Sequence, residues 1–161
     1  MKYEEIVNTY YQPLYWHIRR MVVNHDDAQD ILQDTFLKIY RHLWTLRKPD
    51  AVRGWAFRIA GRETIRFLDR KRKALGTAAF EAEMLENLKD SAQVDFRAVE
   101  ALALQRAMVH LSPLQKQVFC LRYYDEMDYG EISRITGSGT DSLKTSYHKA
   151  KKIIEEYVRQ Q

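Results

Sequence analysis

The chain has 161 residues, 45% of them apolar and 12% aromatic, enough to fill one domain or two small ones. Its net charge of +4 is mild, so the placement of charge rather than its total must identify a partner. A lone cysteine, Cys120, excludes an intramolecular disulfide, and the lack of a signal peptide or a membrane-length apolar run makes the cytoplasm the expected location.

The elements read as helices throughout. Glycine and proline are scarce, and no alternating strand-like run stands out, so the expected class is all-α. Residues 3–23 form an aromatic-rich helical segment with Tyr10, Tyr11, Tyr15 and Trp16, in which Pro13 marks a start or a kink. A second helix, over about 26–44, carries Ala28, Ile31, Leu32, Phe36, Ile39, Tyr40 and Leu43 as a core stripe. Its other face gathers Asp30, Gln33, Asp34, Leu37 and Arg41. A single exposed leucine is ordinary. Framed by carboxylates and a glutamine, Leu37 is equally a docking surface for a basic protein partner.

Arg47-Lys48-Pro49-Asp50 breaks the helical pattern, and a third helix runs from about Arg53 to Lys73. Ala56, Phe57, Ala60, Phe67 and Leu68 make its apolar side. Arg58, Arg62, Arg66 and Arg70 recur at four-residue steps on the other side, with Trp55 and Ile59 among them. Arginines that take phosphates beside an indole that stacks on a base suit an unpaired nucleic-acid strand. The alternative is that Trp55 packs on the preceding helix while the arginines face water. Residues 74–94 then turn acidic and read as a flexible linker. It is either a solvated tether or an acidic mimic of nucleic acid that shields a basic face. A helix at about 95–110, with Val99, Leu102, Met108 and Val109 inward, opens a second domain.

The last third is the most patterned. Ser112, Pro113 and Gln115 form an N-cap, a proline at the first helical position and a capping box, and Asp128 with Glu131 repeats the pattern. A short helix ends at Gly137, and Gly137-Ser138-Gly139-Thr140 makes a turn. Leu143, Tyr147, Ala150, Ile154 and Tyr157 then form one buried stripe, opposite Asp141, Lys144, Thr145, His148, Lys149 and Lys152. The layout is a helix-turn-helix, whose last helix enters a DNA major groove. Its lysines suit phosphates, and Thr145 and His148 suit base edges. An ordinary solvated helix face is the competing reading.

Nothing points to chemistry. The histidines His17, His25, His42, His110 and His148 do not cluster at ligand spacing, and Asp26, Asp30 and Asp34 lack the Glu-x-x-His pairs of a carboxylate-bridged metal bundle. The turn at 137–140 follows no strand and lacks the lysine of a phosphate-binding loop. The chain is expected to be no enzyme, with no metal, no cofactor and no small-molecule substrate.

DAQDILQDTFLKIYRHL at 26–42 and GWAFRIAGRETIRFLDRKRK at 54–73 resemble the second conserved region of bacterial sigma factors. LSPLQKQVFCLRYYDEMDYGEISRITG at 111–137 and LKTSYHKAKK at 143–152 are similar to their fourth region. A short linker without a separate third domain marks the extracytoplasmic-function class. The resemblance implies domains at 1–73 and 95–161 around the linker at 74–94. It implies that the helix at 26–44, through Asp30, Gln33, Asp34, Leu37 and Arg41, docks on the β′ clamp helices of core RNA polymerase, with the β subunit as a further contact. It implies that the loop with Arg47 and Lys48, and the side with Trp55, Arg58, Arg62 and Arg66, recognise the −10 element and its unpaired strand. The face with Asp141, Lys144, Thr145, His148, Lys149 and Lys152 would read the −35 duplex. An anti-sigma factor is the family's usual restraint.

Two positions depart from the family pattern: Ser146 stands where arginine is frequent, toward the buried edge of its helix, and Asp141 where a small residue is common. A helix-turn-helix regulator that acts without joining polymerase is the competing function. A helical adaptor with solvated basic faces is a third.

Overall fold

The computed structural model describes residues 1–91 and 99–160, and every regular element among them is helical. The first three α-helices are α1 (Tyr3–Val22), α2 (His25–His42) and α3 (Val52–Leu75), which pack on one another in pairs. Ile6, Leu14, Ile18, Leu32, Ile39, Phe57 and Leu68 fill the space between them, each 0–1% exposed. Pro13 is exposed inside α1 rather than at its start. Asn24 caps α2 by accepting from the Asp27 amide (3.0 Å), and Asp26 and Asp27 complement the positive end of the helix. Between α1 and α2 the chain turns at Val23, whose φ of 69° is strained for a β-branched residue. The buried Arg19 donates to the Val23 carbonyl and holds the turn.

Short 3₁₀ turns at Leu43–Thr45 and Pro49–Ala51 flank the segment that carries Arg47 and Lys48. The stripe expected for α2 needs one correction: Tyr40 is 64% exposed. It projects about 100° away from the centre of the Ala28–Ile39 stripe, so the helix turns it out of the core.

The linker expected over 74–94 is also corrected. Most of it is α4 (Thr77–Ser91), which packs on α3 and buries Phe80, Met84 and Leu88. Those three recur every four residues and lay one apolar edge along α3, while the glutamates stay at the surface or half-buried. The segment is therefore not a solvated tether at those positions, and 92–94 lie outside the described residues.

The second domain contains α5 (Val99–Met108), α6 (Pro113–Tyr123), α7 (Tyr129–Thr136) and α8 (Thr140–Arg159). The expected helix at about 95–110 corresponds to α5, with 95–98 outside the described residues. The capping box is formed in both directions: the Gln115 amide donates to Ser112 Oγ, and the Ser112 amide to Gln115 Oε1. Asp128 caps α7 by accepting from the Glu131 amide (2.8 Å). Val118, Leu121, Ile132, Leu143 and Ala150 close a core at 0–1% exposure, and Phe119 stacks on Tyr147 (5.8 Å between centroids). Cys120 lies in that core, where burial pushes its thiol up to about 12, so it acts as a small apolar group.

The two domains touch. Helix α3 faces α1 and α2 on one side and α6 and α7 on the other, and α1 also meets α6. Gly61 explains how closely α3 and α6 approach: a Cβ there would collide with the side-chain amide of Gln117.

Candidate nucleic-acid interface

Helix α7, the turn and α8 form the unit that would hold DNA. Gly137 ends α7 in the left-handed region (φ 79°), a conformation that costs glycine nothing. Ser133 Oγ then donates to the Ser138 carbonyl (2.7 Å), and the Ser138 amide donates to Thr136 Oγ1 (3.2 Å). These bonds fix the angle at which α8 leaves the turn. Leu143, Ala150 and Ile154 are buried and Tyr147 and Tyr157 half-buried, so one side of α8 is anchored. Asp141, Lys144, Thr145, His148, Lys149 and Lys152 are all exposed on the other side. Ser146 is half-buried at the edge, as projected.

Thr145 Oγ1 donates to the Asp141 carbonyl one turn earlier (3.1 Å), which leaves its lone pairs outward to accept from a base. Thr145, His148, Lys149 and Lys152 line one shallow hollow together with Lys151 and Glu155. The sequence reading missed Lys151, one residue from the chosen face and exposed, with its ammonium 5.8 Å from the Tyr147 ring centre.

The second cationic face lies on α3. Arg58, Arg62 and Arg66 are exposed, Trp55 is half-buried against the core, and Arg47 and Lys48 are exposed in the preceding loop. Trp55 thus keeps one side against protein and shows the other to solvent. Arg66 is partly engaged: its guanidinium lies 3.3 Å from Glu63, which also pairs with Lys38 of α2. The face forms one wall of a cleft of about 650 Å³. Arg58, Arg62 and Arg66 stand on that wall, opposite Leu114, Ile135 and Thr136 of the second domain.

A third face lies on α2. Asp30, Gln33, Asp34, Leu37 and Arg41 are all exposed, with Leu37 at 47%. The exposed Tyr40 sits beside it, and Trp44 just beyond the helix is 81% exposed. Neither aromatic was expected here, although the projection that put Leu37 outside puts Tyr40 near Gln33. Gln33, Leu37, Tyr11 and Phe36 border one shallow groove between α1 and α2. Asp30 and Asp34 also border a second cleft, facing Arg66 and Arg70. Close by, Lys71 bridges Asp27 (3.7 Å) and Glu83 (2.7 Å), joining α2, α3 and α4. Burial pushes the Asp27 carboxyl above its ordinary range, and Lys71 opposes that rise.

No group of three or more potential metal ligands occurs among the described residues, and no described helix is long and apolar enough to cross a membrane. The arrangement offers two separate cationic faces, one on each domain, and a third face that mixes carboxylates with apolar side chains.

Comparison with known proteins assigns both halves. The family profile "Sigma-70 region 2" matches residues 6–74, and "Sigma-70, region 4" matches residues 101–154. The chain is similar to the RNA polymerase sigma factor SigV of Bacillus subtilis, 29% identical over 83% of this chain and 76% of that protein. It is similar to the sigma factor YlaC of the same organism, 27% identical over 92% of this chain and 87% of that protein. The solved structure of the sigma factor RpoE from Bartonella quintana, in complex with the anti-sigma factor NepR, has the same fold. It matches with a TM-score of 0.75 and 16% identity, over 97% of this chain and 96% of that one.

Proposed function

Because the chain belongs to the extracytoplasmic-function class of the sigma-70 family, whose members bind core RNA polymerase and direct promoter-specific initiation without catalysing chemistry themselves, we propose that its three exposed faces divide that work. The α2 face, with Asp30, Gln33, Asp34, Leu37 and Arg41, docks on polymerase at the β′ clamp helices. Carboxylates around a partly exposed leucine suit a basic helical partner, and Tyr40 and Trp44 extend the apolar area. Arg47 and Lys48 with Trp55, Arg58, Arg62 and Arg66 bind the −10 element as an unpaired strand. Asp141, Lys144, Thr145, His148, Lys149 and Lys152 read the −35 element as duplex from the major groove. Asp141 at the start of α8 accepts from a cytosine amino group, at a cost in phosphate attraction nearby.

The single observation that carries this reading is the separation of the cationic surface into two faces on two domains, with a chemically different third face. A lone duplex-binding regulator needs only the α8 face, and the match of the first domain to sigma region 2 sets that competitor aside. The protein works where polymerase does, in the cytoplasm. A protein anti-sigma factor is its restraint, as NepR is for the structural relative.

The test is reconstitution. Core polymerase plus this protein should select discrete promoters from genomic DNA and make RNA from them. Random starts, in a preparation where a known sigma factor gives discrete ones, would contradict the reading.

A further inference from the structure

The cleft of about 650 Å³ beside α3 falls within the range of about 300–1,000 Å³ that encloses small ligands. Its two walls differ in chemistry. On α3, Arg58, Arg62, Arg66, Arg70 and Lys73 face it, with Asp69 as the carboxylate among them. Ile65 adds an apolar patch on the same wall. Across from them stand Leu114 of α6 and Ile135 of α7. Gln117 borders the cleft where α6 comes closest to Gly61.

The cations on this wall are poorly neutralised. Arg66 pairs with Glu63 (3.3 Å), but Arg58, Arg62, Arg70 and Lys73 have no ion pair among the described residues. Four-residue steps place like charges about 6 Å apart along the helix, and their repulsion costs stability. The apolar wall opposite excludes water on that side, which strengthens the attraction for an anion between them. Gln117 gives a second, independent signal. It is 4% exposed and borders the cleft, yet its side-chain amide has no hydrogen-bond partner among the described residues. A buried amide without a partner is costly, and a ligand in the cleft would meet both its donor and its acceptor.

The walls define the ligand. A guanidinium takes two phosphate oxygens at once, and a row of them suits a chain of phosphates better than a single one. Leu114, Ile135 and Ile65 suit a flat ring, and a side-chain amide pairs with the donors and acceptors on the edge of a nucleobase. We propose that this cleft binds a nucleoside polyphosphate, with its phosphates on the α3 arginines and its base against Leu114 and Gln117. This site goes beyond the three faces assigned above and needs neither polymerase nor promoter. It shares Arg58 and Arg62 with the proposed strand face, so an occupied cleft withdraws both from a strand.

Isothermal titration calorimetry of the full chain, without DNA, tests the site separately from the strand reading. ATP, inorganic tripolyphosphate and adenosine are the probes. ATP should bind one to one, tripolyphosphate several-fold more weakly, and adenosine not measurably. Arg62→Ala with Arg70→Ala should weaken ATP binding at least about tenfold. Leu114→Glu puts a carboxylate on the opposite wall, in the first turn of α6 where a helix favours it, and should weaken ATP binding at least about fivefold. Lys2→Ala with Arg159→Ala removes the same charge from exposed positions outside the cleft and should leave ATP binding unchanged. Far-UV circular dichroism checks that each variant stays helical. No binding at millimolar ATP, several ATP molecules per chain, or an equal loss in the Lys2 and Arg159 variant would overturn the site. Unchanged affinity in Leu114→Glu would overturn the cleft, because phosphates on α3 alone do not sense the opposite wall. Tripolyphosphate binding as tightly as ATP would overturn the base contacts.

Discussion

Two cationic faces on one small chain present themselves differently. The polar side of α8 is exposed along its length, anchored only from behind by Leu143, Ala150 and Ile154. The polar side of α3 is a cleft wall, with the second domain opposite and Arg66 drawn toward Glu63. The α3 face is built of arginines and the α8 face of lysines with one carboxylate, and what stands in front of them differs as well. On the proposed reading, α8 offers an open surface to duplex, whereas α3 offers one wall of a cleft to an unpaired strand.

The sharpest way to break this contrast is on the third face. Asp34→Lys puts a cation on the face proposed to dock on polymerase and should weaken core-polymerase binding at least about tenfold. Binding of the isolated protein to duplex should not change, as native gels of both complexes would reveal. Loss of duplex binding instead would mean that the α2 face touches DNA.

Next in size is the double variant Arg58→Ala with Arg62→Ala. It should lower single-strand binding about tenfold and slow promoter opening, followed by permanganate reactivity of unpaired thymines, with duplex affinity intact. Lys149→Ala is the mirror experiment and is smaller. Duplex affinity should drop a few-fold and its log–log salt slope flatten by about one counterion, while strand binding holds. An unchanged slope would remove Lys149 from the phosphate contacts.

The smallest effect concerns pH. Burial lowers the Lys116 ammonium from 10.5 to about 8. A lysine whose folded-state value is depressed binds its proton more weakly folded than unfolded, so stability rises with pH from about 8 toward 10.5 and this group adds no pH dependence below that. The thermal midpoint should therefore rise slightly from about pH 7.5 to 9, as circular dichroism would record, and Lys116→Met should abolish that part of the trend.

Much of this molecule was legible in its residues. The caps at Ser112 and Asp128, the left-handed Gly137 and the two-sided α8 were readable because each is a local rule acting within one or two turns. The outward placement of Asp30, Asp34 and Leu37 followed from helical projection alone. Helix α4 was not read, because acidic residues and the glycine before it outweighed the weak period of Phe80, Met84 and Leu88. Tyr40 is aromatic but lies about 100° from the centre of the buried stripe, so its angle and not its residue type decides its exposure. The contact between the two domains had no local signature at all: His17 and Asp125 are separated by 108 positions, and no period in the chain links them.

The division of labour between the two faces is tested most directly by site-specific crosslinking in the reconstituted polymerase–promoter complex. A photoreactive residue replaces His148 in one preparation and Arg62 in another. The account predicts that the His148 position captures duplex at the −35 element and the Arg62 position captures the unpaired strand at the −10 element. Both probes on one element, or the two exchanged, would contradict it.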